Sequence, residues 1–384
     1  MTRLLFTAAG LALLLLVVFD VYATVLHASA RYGPIGERLN RAVWRDAKWV
    51  AFKLGRSRRH KFLSVVGPLM LPLLIAAYIV SLIFAFALIY YPRFPAHFVY
   101  SHDPSGSNLL DALYYSGITL TTVGYGDIVP RTTITRTLSI IEATTGVALI
   151  SLSITYLITV YSALERKRAV ALSLYHQAGR GADAAGLIAH HSYEGRFYGL
   201  RDTLRQVTRD IQQLLEAHVE HPVIHYFHPS EVYKSLPRIL FLLLETCAVI
   251  RTSLDADEYA ELRNYPEVRT LEAGARHVLV ELVASLDLER RERPRKLTPG
   301  EREENETRWH ARYDQNVERL RRAGIATRRD EEAARREYRE QRMEWESALQ
   351  RLSLHLGYDW EEVTGDSDLE YASDEAKQEP APTR

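Results

Sequence analysis

The chemically most informative residues form one short stretch, Thr119-Leu120-Thr121-Thr122-Val123-Gly124-Tyr125-Gly126-Asp127. Backbone carbonyl oxygens can replace the water around a K⁺ ion only if successive carbonyls point towards one axis. Such a backbone must alternate between left- and right-handed conformations, which glycine permits at Gly124 and Gly126. Thr122 would add a hydroxyl oxygen, and a short helix before the stretch would aim its negative C-terminal end at the ion. The stretch therefore predicts a cation site made of backbone carbonyls.

Two acidic residues lie in apolar surroundings, where ionisable side chains are functional candidates by default. Asp20 interrupts the first apolar run of the chain and could pair with a basic residue of the following loop. Glu142 directly precedes the third apolar run and follows Arg136 by six residues. For Glu142, a structural hydrogen bond or a water-exposed helix end is the favoured interpretation, and a functional role is the alternative.

A run of histidines is the other candidate site. Four of them lie within eleven residues: His218, His221, His225 and His228. They could bind Zn²⁺ or take up protons near pH ~6.5. Pro222 and Pro229 interrupt any helix in this segment, so the spacing defines no ligand geometry. Structural or surface histidines are therefore favoured over a metal site or a proton sensor.

Three apolar runs would have to position these residues. They cover residues 4–30 with Asp20 as the one charge, residues 64–91 and residues 143–164. The second run has no charge over 28 residues. As a helix it would measure about 42 Å, which exceeds the hydrocarbon core of about 30 Å. Three such runs favour three membrane helices over buried helices of a soluble protein.

The charges divide the chain into two parts. Lys+Arg and Asp+Glu both number 48, but residues 1–164 contain 14 basic and 7 acidic residues. Residues 165–384 contain 34 basic and 41 acidic residues. Ten of the basic residues fall within residues 31–63, which the positive-inside rule places in the cytoplasm. Residues 92–133 would then lie outside, and the segment after the third run would be cytoplasmic again.

The first run has a rival interpretation, because residues 27–30 resemble the cleavage site of a signal peptide. Cleavage there would leave the basic residues 31–63 outside, against the positive-inside rule. A retained N-terminal transmembrane helix within residues 1–30 is therefore favoured.

The basic loop, residues 31–63, contains a helical pattern of its own. Over residues 35–54, apolar side chains recur at helical spacing with arginines and lysines between them. This pattern is typical of an amphipathic helix on the inner leaflet, where tryptophans lie at the headgroup level. Packing against another part of the protein is the alternative.

The stretch Thr122-Val123-Gly124-Tyr125-Gly126-Asp127, with Thr119 upstream, closely resembles the selectivity filter of bacterial potassium channels. The resemblance extends over about residues 64–164. Residues 111–116 look like that family's pore helix, in which Tyr114 and Tyr115 take the positions that brace the filter. Gly146 has the spacing of the inner-helix hinge of two-helix channels, although close helix packing explains a glycine equally well.

The resemblance implies a fold and roles for named residues. The carbonyls that would hold K⁺ belong to Thr122, Val123, Gly124 and Tyr125, and Gly126 and Asp127 would complete the filter at its outer mouth. K⁺ would be the permeant ion, and four chains would be needed because one chain has one such segment. The sequence departs from the family in three ways: a third apolar run, no run with arginine or lysine at every third position, and Ile118 in place of a pore-helix glutamate.

The remainder of the chain indicates a helical cytoplasmic part. Residues 165–288 predict a helical domain, residues 289–358 a charged helical segment, and residues 359–384 an acidic disordered tail. The apolar run at residues 239–250 is too short to span a membrane and predicts a core helix. A second stripe recurs at heptad-like spacing and suits either a contact between subunits or packing within its own domain: Tyr338, Trp345, Leu349, Leu352 and Leu356.

Composition excludes several protein classes. A chain with 47% hydrophobic and 25% charged residues is not disordered as a whole. One cysteine, Cys247, cannot form a disulfide scaffold, and the balanced charge argues against a nucleic-acid partner. No nucleotide-binding glycine motif or catalytic constellation is recognisable, so we expect no enzyme activity and no resident cofactor.

The sequence therefore predicts an all-α membrane protein with a potassium-channel pore domain. We expect a homotetramer in the bacterial inner membrane that conducts K⁺ passively, gated by the inner helix under control of the cytoplasmic domain. An unidentified cytoplasmic ligand or protein is a possible further partner. A K⁺ uptake transporter subunit and a membrane-anchored signalling or scaffold protein are the alternatives.

Overall fold

Helices dominate the computed structural model, which describes residues 2–26, 33–101, 106–179, 183–288 and 299–365. The α-helices are α1 Thr2–Val21, α2 Pro34–Ala51, α3 Arg56–Tyr90, α4 Asn108–Leu120, α5 Thr133–Gln177, α6 Ala184–His190, α7 Leu200–Glu220, α8 Leu236–Thr252, α9 Ala260–Arg263, α10 Pro266–Ser285, α11 Pro299–Arg322, α12 Glu331–Met343, α13 Glu346–His355 and α14 Trp360–Thr364. Two short antiparallel hairpins pair β1 Phe98–Tyr100 with β2 Ile128–Pro130, and β3 Ser192–Tyr193 with β4 Arg196–Phe197.

The chain divides into two compact units. The first unit comprises Met1–Asp46, Val66–Ser162 and Glu220–Val223, and the second comprises Ala47–Val65, Ala163–Val219 and Ile224–Arg384. Helices α3 and α5 each begin in one unit and end in the other, so they connect the two without a break.

Among the residues that the structure describes, three helices are long and apolar enough to cross a membrane, at Arg3–Val25, Arg56–Arg93 and Thr133–Gln177. They contain the three apolar runs of the sequence. Helix α3 begins at Arg56, before the apolar run at residues 64–91. Basic residues can form the first turn of a helix, but they do not lie in the hydrocarbon core, so the helix is longer than its apolar run. Helix α5 likewise continues past residue 164 into charged sequence. The residues that resemble a cleavage site, 27–30, lie outside the described residues.

Asp20 is a buried acceptor for the start of α2. Its carboxylate accepts hydrogen bonds from the backbone N–H groups of Ile35 (2.6 Å) and Gly36 (3.1 Å) and from the Tyr78 hydroxyl (2.7 Å). The first N–H groups of a helix have no partner within the helix, so a carboxylate there satisfies them and complements the helix dipole. Among the described residues, the hydrogen-bond donors to Asp20 are backbone amides and a hydroxyl. The pairing of Asp20 with a basic loop residue stays a prediction, because residues 31–32 of the loop lie outside the described residues.

Gly33 allows this contact to form. A Cβ atom at Gly33 would lie 2.2 Å from the Asp20 Oδ1 atom, so any larger residue would displace the carboxylate. Helix α2 itself covers Pro34–Ala51, close to the amphipathic pattern at residues 35–54. Its position on a membrane surface stays a prediction.

The second unit is built around α8. Every residue of this helix except Arg251 is buried, so the apolar run at residues 239–250 is a core helix. Glu245, fully buried in the middle of α8, contacts Arg342 Nη1 (3.1 Å), Asn316 Nδ2 (3.1 Å) and the Tyr338 hydroxyl. A buried carboxylate is tolerated because a cation and two hydrogen-bond donors surround it.

The stripe that begins at Tyr338 packs inside this unit. Its members are all buried and belong to the same hydrophobic core as α8: Tyr338, Trp345, Leu349, Leu352 and Leu356. The stripe is divided between α12 and α13, so packing within its own domain, one of the two interpretations, is what the structure shows. The predicted boundary at residue 288 does not separate two cores, because Tyr313 and Val317 of α11 join this core as well.

The first part of the predicted disordered tail, residues 359–365, is ordered. Asp359 and Glu362 form a capping box at the start of α14, and Gly365 ends the helix with a φ of 79°. Trp360 and Val363 are buried in the core. The prediction of disorder is therefore wrong for residues 359–365. Their acidic side chains pair with groups that are distant in the sequence, such as Arg56 and Arg59, so counting charges along the sequence does not reveal these contacts. Residues 366–384 lie outside the described residues.

Replacing Asp20 with alanine should destabilise the protein by about 2–3 kcal/mol, because two helix N–H groups and a buried hydroxyl lose their acceptor. Denaturant titration in detergent would measure this difference. The control is Asp46→Ala, which removes an exposed acid of α2 that pairs only with exposed Arg45. This control should change the free energy of unfolding by less than about 0.5 kcal/mol. Equal effects of the two substitutions would contradict the assigned role of Asp20.

Candidate functional site

The TVGYGD segment (residues 122–127) lies between the end of α4 and strand β2. Helix α4 covers Asn108–Leu120, as the sequence predicts. Strand β2 pairs with β1, and the Ser101 N–H donates to the Asp127 carbonyl at 2.8 Å. Both ends of the segment are therefore fixed by regular structure, although the segment itself is neither helix nor strand.

Every second residue of this segment, from Thr122 to Gly126, has a positive φ angle. The φ angles are 59° at Thr122, 56° at Gly124 and 79° at Gly126. The sequence predicts the alternation at the two glycines, where it is free of strain. It does not predict Thr122, because a β-branched residue with positive φ is strained by about 1–3 kcal/mol. Gly124 and Gly126 are two residues apart, and one more step of the same size towards the N-terminus leads to Thr122. This spacing is the signal that could have identified Thr122.

Two backbone hydrogen bonds join the segment to α4. The Gly124 N–H donates to the Ile118 carbonyl (3.2 Å), and the Thr122 N–H donates to the Thr119 carbonyl (3.1 Å). The helix thus ends directly behind the segment, with the negative end of its dipole nearest to residues 122–124. The side chains of Val123 and Tyr125 are exposed in the single chain, by 50% and 73%. One chain therefore supplies one strip of carbonyls and leaves these side chains uncovered.

The two tyrosines of α4 have different contacts. The Tyr114 hydroxyl donates to Asp127 Oδ2 at 2.7 Å, which ties α4 to the outer end of the segment. Tyr115 is buried, packs edge-on against Tyr90 (5.2 Å between ring centroids), and places its hydroxyl 2.6 Å from Ser139 Oγ. Within one chain, Tyr114 therefore contacts the segment directly, whereas Tyr115 joins α4 to α3 and α5.

Glu142 connects three helices behind the segment. This fully buried carboxylate of α5 accepts hydrogen bonds from Ser116 Oγ of α4 (2.5 Å) and from the Tyr90 hydroxyl of α3 (2.9 Å). Ser116 Oγ also contacts the Ile83 carbonyl of α3 at 3.0 Å. Glu142 therefore makes the structural hydrogen bonds that the sequence favours for it.

Gly146 marks the closest approach of α5 to α4. A Cβ atom at this position would lie 2.0 Å from the Leu120 carbonyl oxygen, far inside van der Waals contact. The glycine is needed for close packing, one of the two interpretations of its spacing. Helix α5 is continuous through Gly146, and a hinge there stays a prediction.

The four histidines do not form one cluster. His218 Nδ1 lies 2.7 Å from the Leu214 carbonyl, and its ring is 5.1 Å from that of His225. His221 packs edge-on against Tyr156, and His228 lies 2.7 Å from His60, a residue that the sequence did not single out. In the part of the chain that the structure describes, no three His, Cys, Asp or Glu side chains are placed to hold a metal ion.

Burial decides the protonation of two of these histidines. Burial and the charge of Lys167 lower the pKa of His218 to about 3. Burial and the neighbouring His218 lower the pKa of His225 well below its ordinary value. Both rings are therefore neutral at physiological pH, and neither titrates near neutrality as a proton sensor would.

With this geometry established, comparison with known proteins is informative. Residues 78–163 match a family model described as an ion channel. The matched region runs from the middle of α3 through α4 and the TVGYGD segment into α5. The chain therefore has an ion-channel pore region within a mostly helical membrane protein.

Three curated relatives are similar to parts of the chain. The uncharacterized membrane protein YdjJ of Bacillus subtilis is 28% identical over 59% of this chain and 64% of its own length. A voltage-gated potassium channel of Aeropyrum pernix is 31% identical over 29% of this chain and 32% of its own length. Two-pore potassium channel 4 of Arabidopsis thaliana is 55% identical over 10% of this chain and 13% of its own length. Each match covers less than two thirds of the relative, and no solved structure matches significantly.

The substitution Gly146→Ala should destabilise the protein by about 1–3 kcal/mol, because its methyl group overlaps a backbone oxygen that cannot move away cheaply. Gly274→Ala is the matched control: Gly274 is also helical, and a Cβ there meets nothing within 4 Å. That control should be neutral or stabilising by up to about 1 kcal/mol. Denaturant titration of both variants in detergent measures the difference, and equal stability would refute the close contact with Leu120.

Proposed function

We propose that this chain is the subunit of a K⁺-selective channel that conducts K⁺ passively through a homotetrameric pore. The observation that supports this most strongly is the alternating backbone of residues 122–126, which follows directly on the end of α4. Residues with alternating left- and right-handed backbone direct successive carbonyls towards the same side. Carbonyl oxygens of Thr122, Val123, Gly124 and Tyr125, with the Thr122 hydroxyl, would then replace the water around K⁺.

The fourfold assembly follows from what one chain lacks. A desolvated cation needs oxygen ligands on all sides, and one strip of carbonyls supplies one side. Val123 and Tyr125 are exposed in the single chain, as expected if neighbouring subunits cover them. Irregular backbone at membrane depth is tolerated only where it is buried in protein or lines a water-filled path. Four copies around one axis satisfy these requirements.

K⁺ as the permeant ion rests on the match of residues 122–127 to the potassium-channel pattern. Two of the relatives described above are named as potassium channels. A sieve of this kind acts by coordination alone, so the protein would need no resident cofactor and catalyse no reaction. Glu142 and Tyr114 would hold α4 in place behind the sieve.

Topology follows from the charges. The ten basic residues within 31–63 favour a cytoplasmic position for this loop and for the C-terminal part, with the TVGYGD segment opening outwards. The bacterial inner membrane is the proposed location. Helix α5 would line the path below the segment and close it on the cytoplasmic side. Since residues 163–177 of α5 belong to the second unit, that unit would control the closure.

Current through the purified full-length protein in planar bilayers tests the proposal. With K⁺ on one side and Na⁺ on the other, the reversal potential should lie towards the K⁺ equilibrium potential. Mass measurement in detergent should give four copies. A reversal potential near zero would overturn K⁺ selectivity, and flux that required a proton or Na⁺ gradient would indicate an uptake transporter instead. Absence of any flux would favour a scaffold.

The substitution Gly124→Ala should abolish K⁺ selectivity, because alanine at a φ of 56° is strained by about 1–2 kcal/mol and the carbonyl would turn away. The control is Gly55→Ala, since a Cβ at Gly55 meets nothing within 4 Å. Reversal potentials of both variants measure the effect. Unchanged selectivity in Gly124→Ala would contradict the assigned role of this carbonyl strip.

A further inference from the structure

A buried chain of titratable side chains joins the start of α3 to the C-terminal helix α14. His60 of α3 places Nδ1 2.7 Å from His228 Nε2, and its Nε2 lies 3.1 Å from Glu362 Oε1 of α14. The far nitrogen of His228, Nδ1, lies 3.0 Å from the Leu356 carbonyl. His60, His228 and Glu362 are 2%, 4% and 2% exposed, so water does not replace these contacts. All of them lie within the second unit.

The two ends of this row of hydrogen-bonded side chains determine how many protons it carries. The Leu356 carbonyl can only accept a hydrogen bond, and so can an ionised Glu362. Between them lie three contacts, each of which needs one N–H group. Two neutral imidazoles supply only two N–H groups. The chain is therefore complete only when the pair of rings carries one additional proton, balanced by the Glu362 carboxylate.

The groups around His228 keep this ring neutral. Burial, together with the charges of His60 and Arg59, lowers the pKa of His228 well below its ordinary value. Lys167 of α5 adds to the positive potential at His228. The rings of His228 and Tyr358 stack at 4.2 Å between centroids, which covers the remaining face. His228 is therefore neutral, with its N–H group at Nδ1 facing the Leu356 carbonyl and its Nε2 facing His60.

Glu362 is held ionised by the same neighbours. Burial alone would raise its pKa, but the hydrogen bond from His60 and the charge of Arg59 lower it overall, below the ordinary 4.5. Because the pKa is lowered in the folded chain, the contribution of Glu362 is present above its ordinary range and is lost only in more acidic solution. When the additional proton leaves, only two N–H groups remain for the three contacts, so one contact is left without a donor.

Contacts beside the chain keep α14 nearby when that proton leaves. Arg59 Nη2 lies 2.7 Å from Asp359 Oδ2 and 3.3 Å from Glu362 Oε2, and Arg56 Nε lies 3.1 Å from Asp359 Oδ2. These guanidinium groups stay charged at every relevant pH. Loss of the proton therefore loosens α14 without detaching it.

We propose that His60, His228 and Glu362 form a proton-dependent latch that ties α14 to the cytoplasmic start of α3 and opens when the additional proton leaves the pair of rings. Since α3 continues without a break from Arg56 into its membrane span, the state of the latch is transmitted to the pore region. This second step rests on the proposed channel function, whereas the latch itself does not.

Hydrogen exchange tests the latch on the full-length protein in liposomes. Protection factors of the backbone amides at residues 360–365, corrected for the chemical exchange rate at each pH, should fall about tenfold between pH 6.0 and 8.5. This is the size expected for one charge-assisted hydrogen bond. K⁺ flux through the same liposomes should change at least about threefold over this range. Equal protection at the two pH values would overturn the latch.

Two variants separate the latch from general effects of pH. In Glu362→Gln the amide can donate to a neutral His60 Nε2 and still accept from the Asp359 N–H, so protection should persist at pH 8.5. In His60→Gln no ring is left to carry the additional proton, so protection should not depend on pH. The control His310→Gln removes an exposed histidine of α11 and should retain the tenfold fall. A wild-type response in Glu362→Gln or His60→Gln would overturn the proposal.

The two parts of the proposal fail in different ways. If the protection of residues 360–365 depends on pH but no K⁺ flux is detected, the channel function is contradicted and the latch is supported. If the protection depends on pH but the K⁺ flux is equal at pH 6.0 and 8.5, the transmission from α3 to the pore is contradicted.

Discussion

A chain that is to coordinate an ion with its own backbone, as proposed for residues 122–125, cannot use those carbonyls for helix or sheet, and this constraint would organise the first unit. Residues 122–127 give up regular hydrogen bonding and accept a left-handed threonine at Thr122. Stability must then come from the surroundings. Helix α4 ends directly behind the segment, Tyr114 holds its outer end through Asp127, and strand β2 fixes the exit. The order of the segment is thus imposed by its neighbours.

The neighbours are in turn held by polar contacts placed inside an apolar bundle. Glu142 accepts from Ser116 and Tyr90, and Asp20 accepts from the first amides of α2 and from Tyr78. In hydrocarbon a hydrogen bond has no competition from water, and an unmade one is correspondingly unfavourable. Each carboxylate therefore specifies one relative position of the helices that it joins, which apolar packing alone would leave less defined.

The sequence predicts the parts of this design that are local. Apolar runs locate the three membrane helices, a 13-residue pattern locates α4, and glycine spacing locates two of the three left-handed residues. It does not predict the partners of Asp20, because they depend on how α1 and α2 pack. It also misses His60, which lies 168 residues from His228 and 302 residues from Glu362. Contacts at such separations leave no period and no motif in the chain.

The contact between Gly146 and the Leu120 carbonyl gives α5 a point about which the helix can tilt. The helix continues from Gly146 to Gln177, an arm of about 46 Å. If α5 tilts about this contact with the end of α4, a tilt of about 5° would move Gln177 by about 4 Å, whereas the atoms at Gly146 would hardly move. A displacement at the C-terminal end of α5 is thus compatible with an undisturbed TVGYGD segment, because the pivot lies beside the helix that precedes this segment.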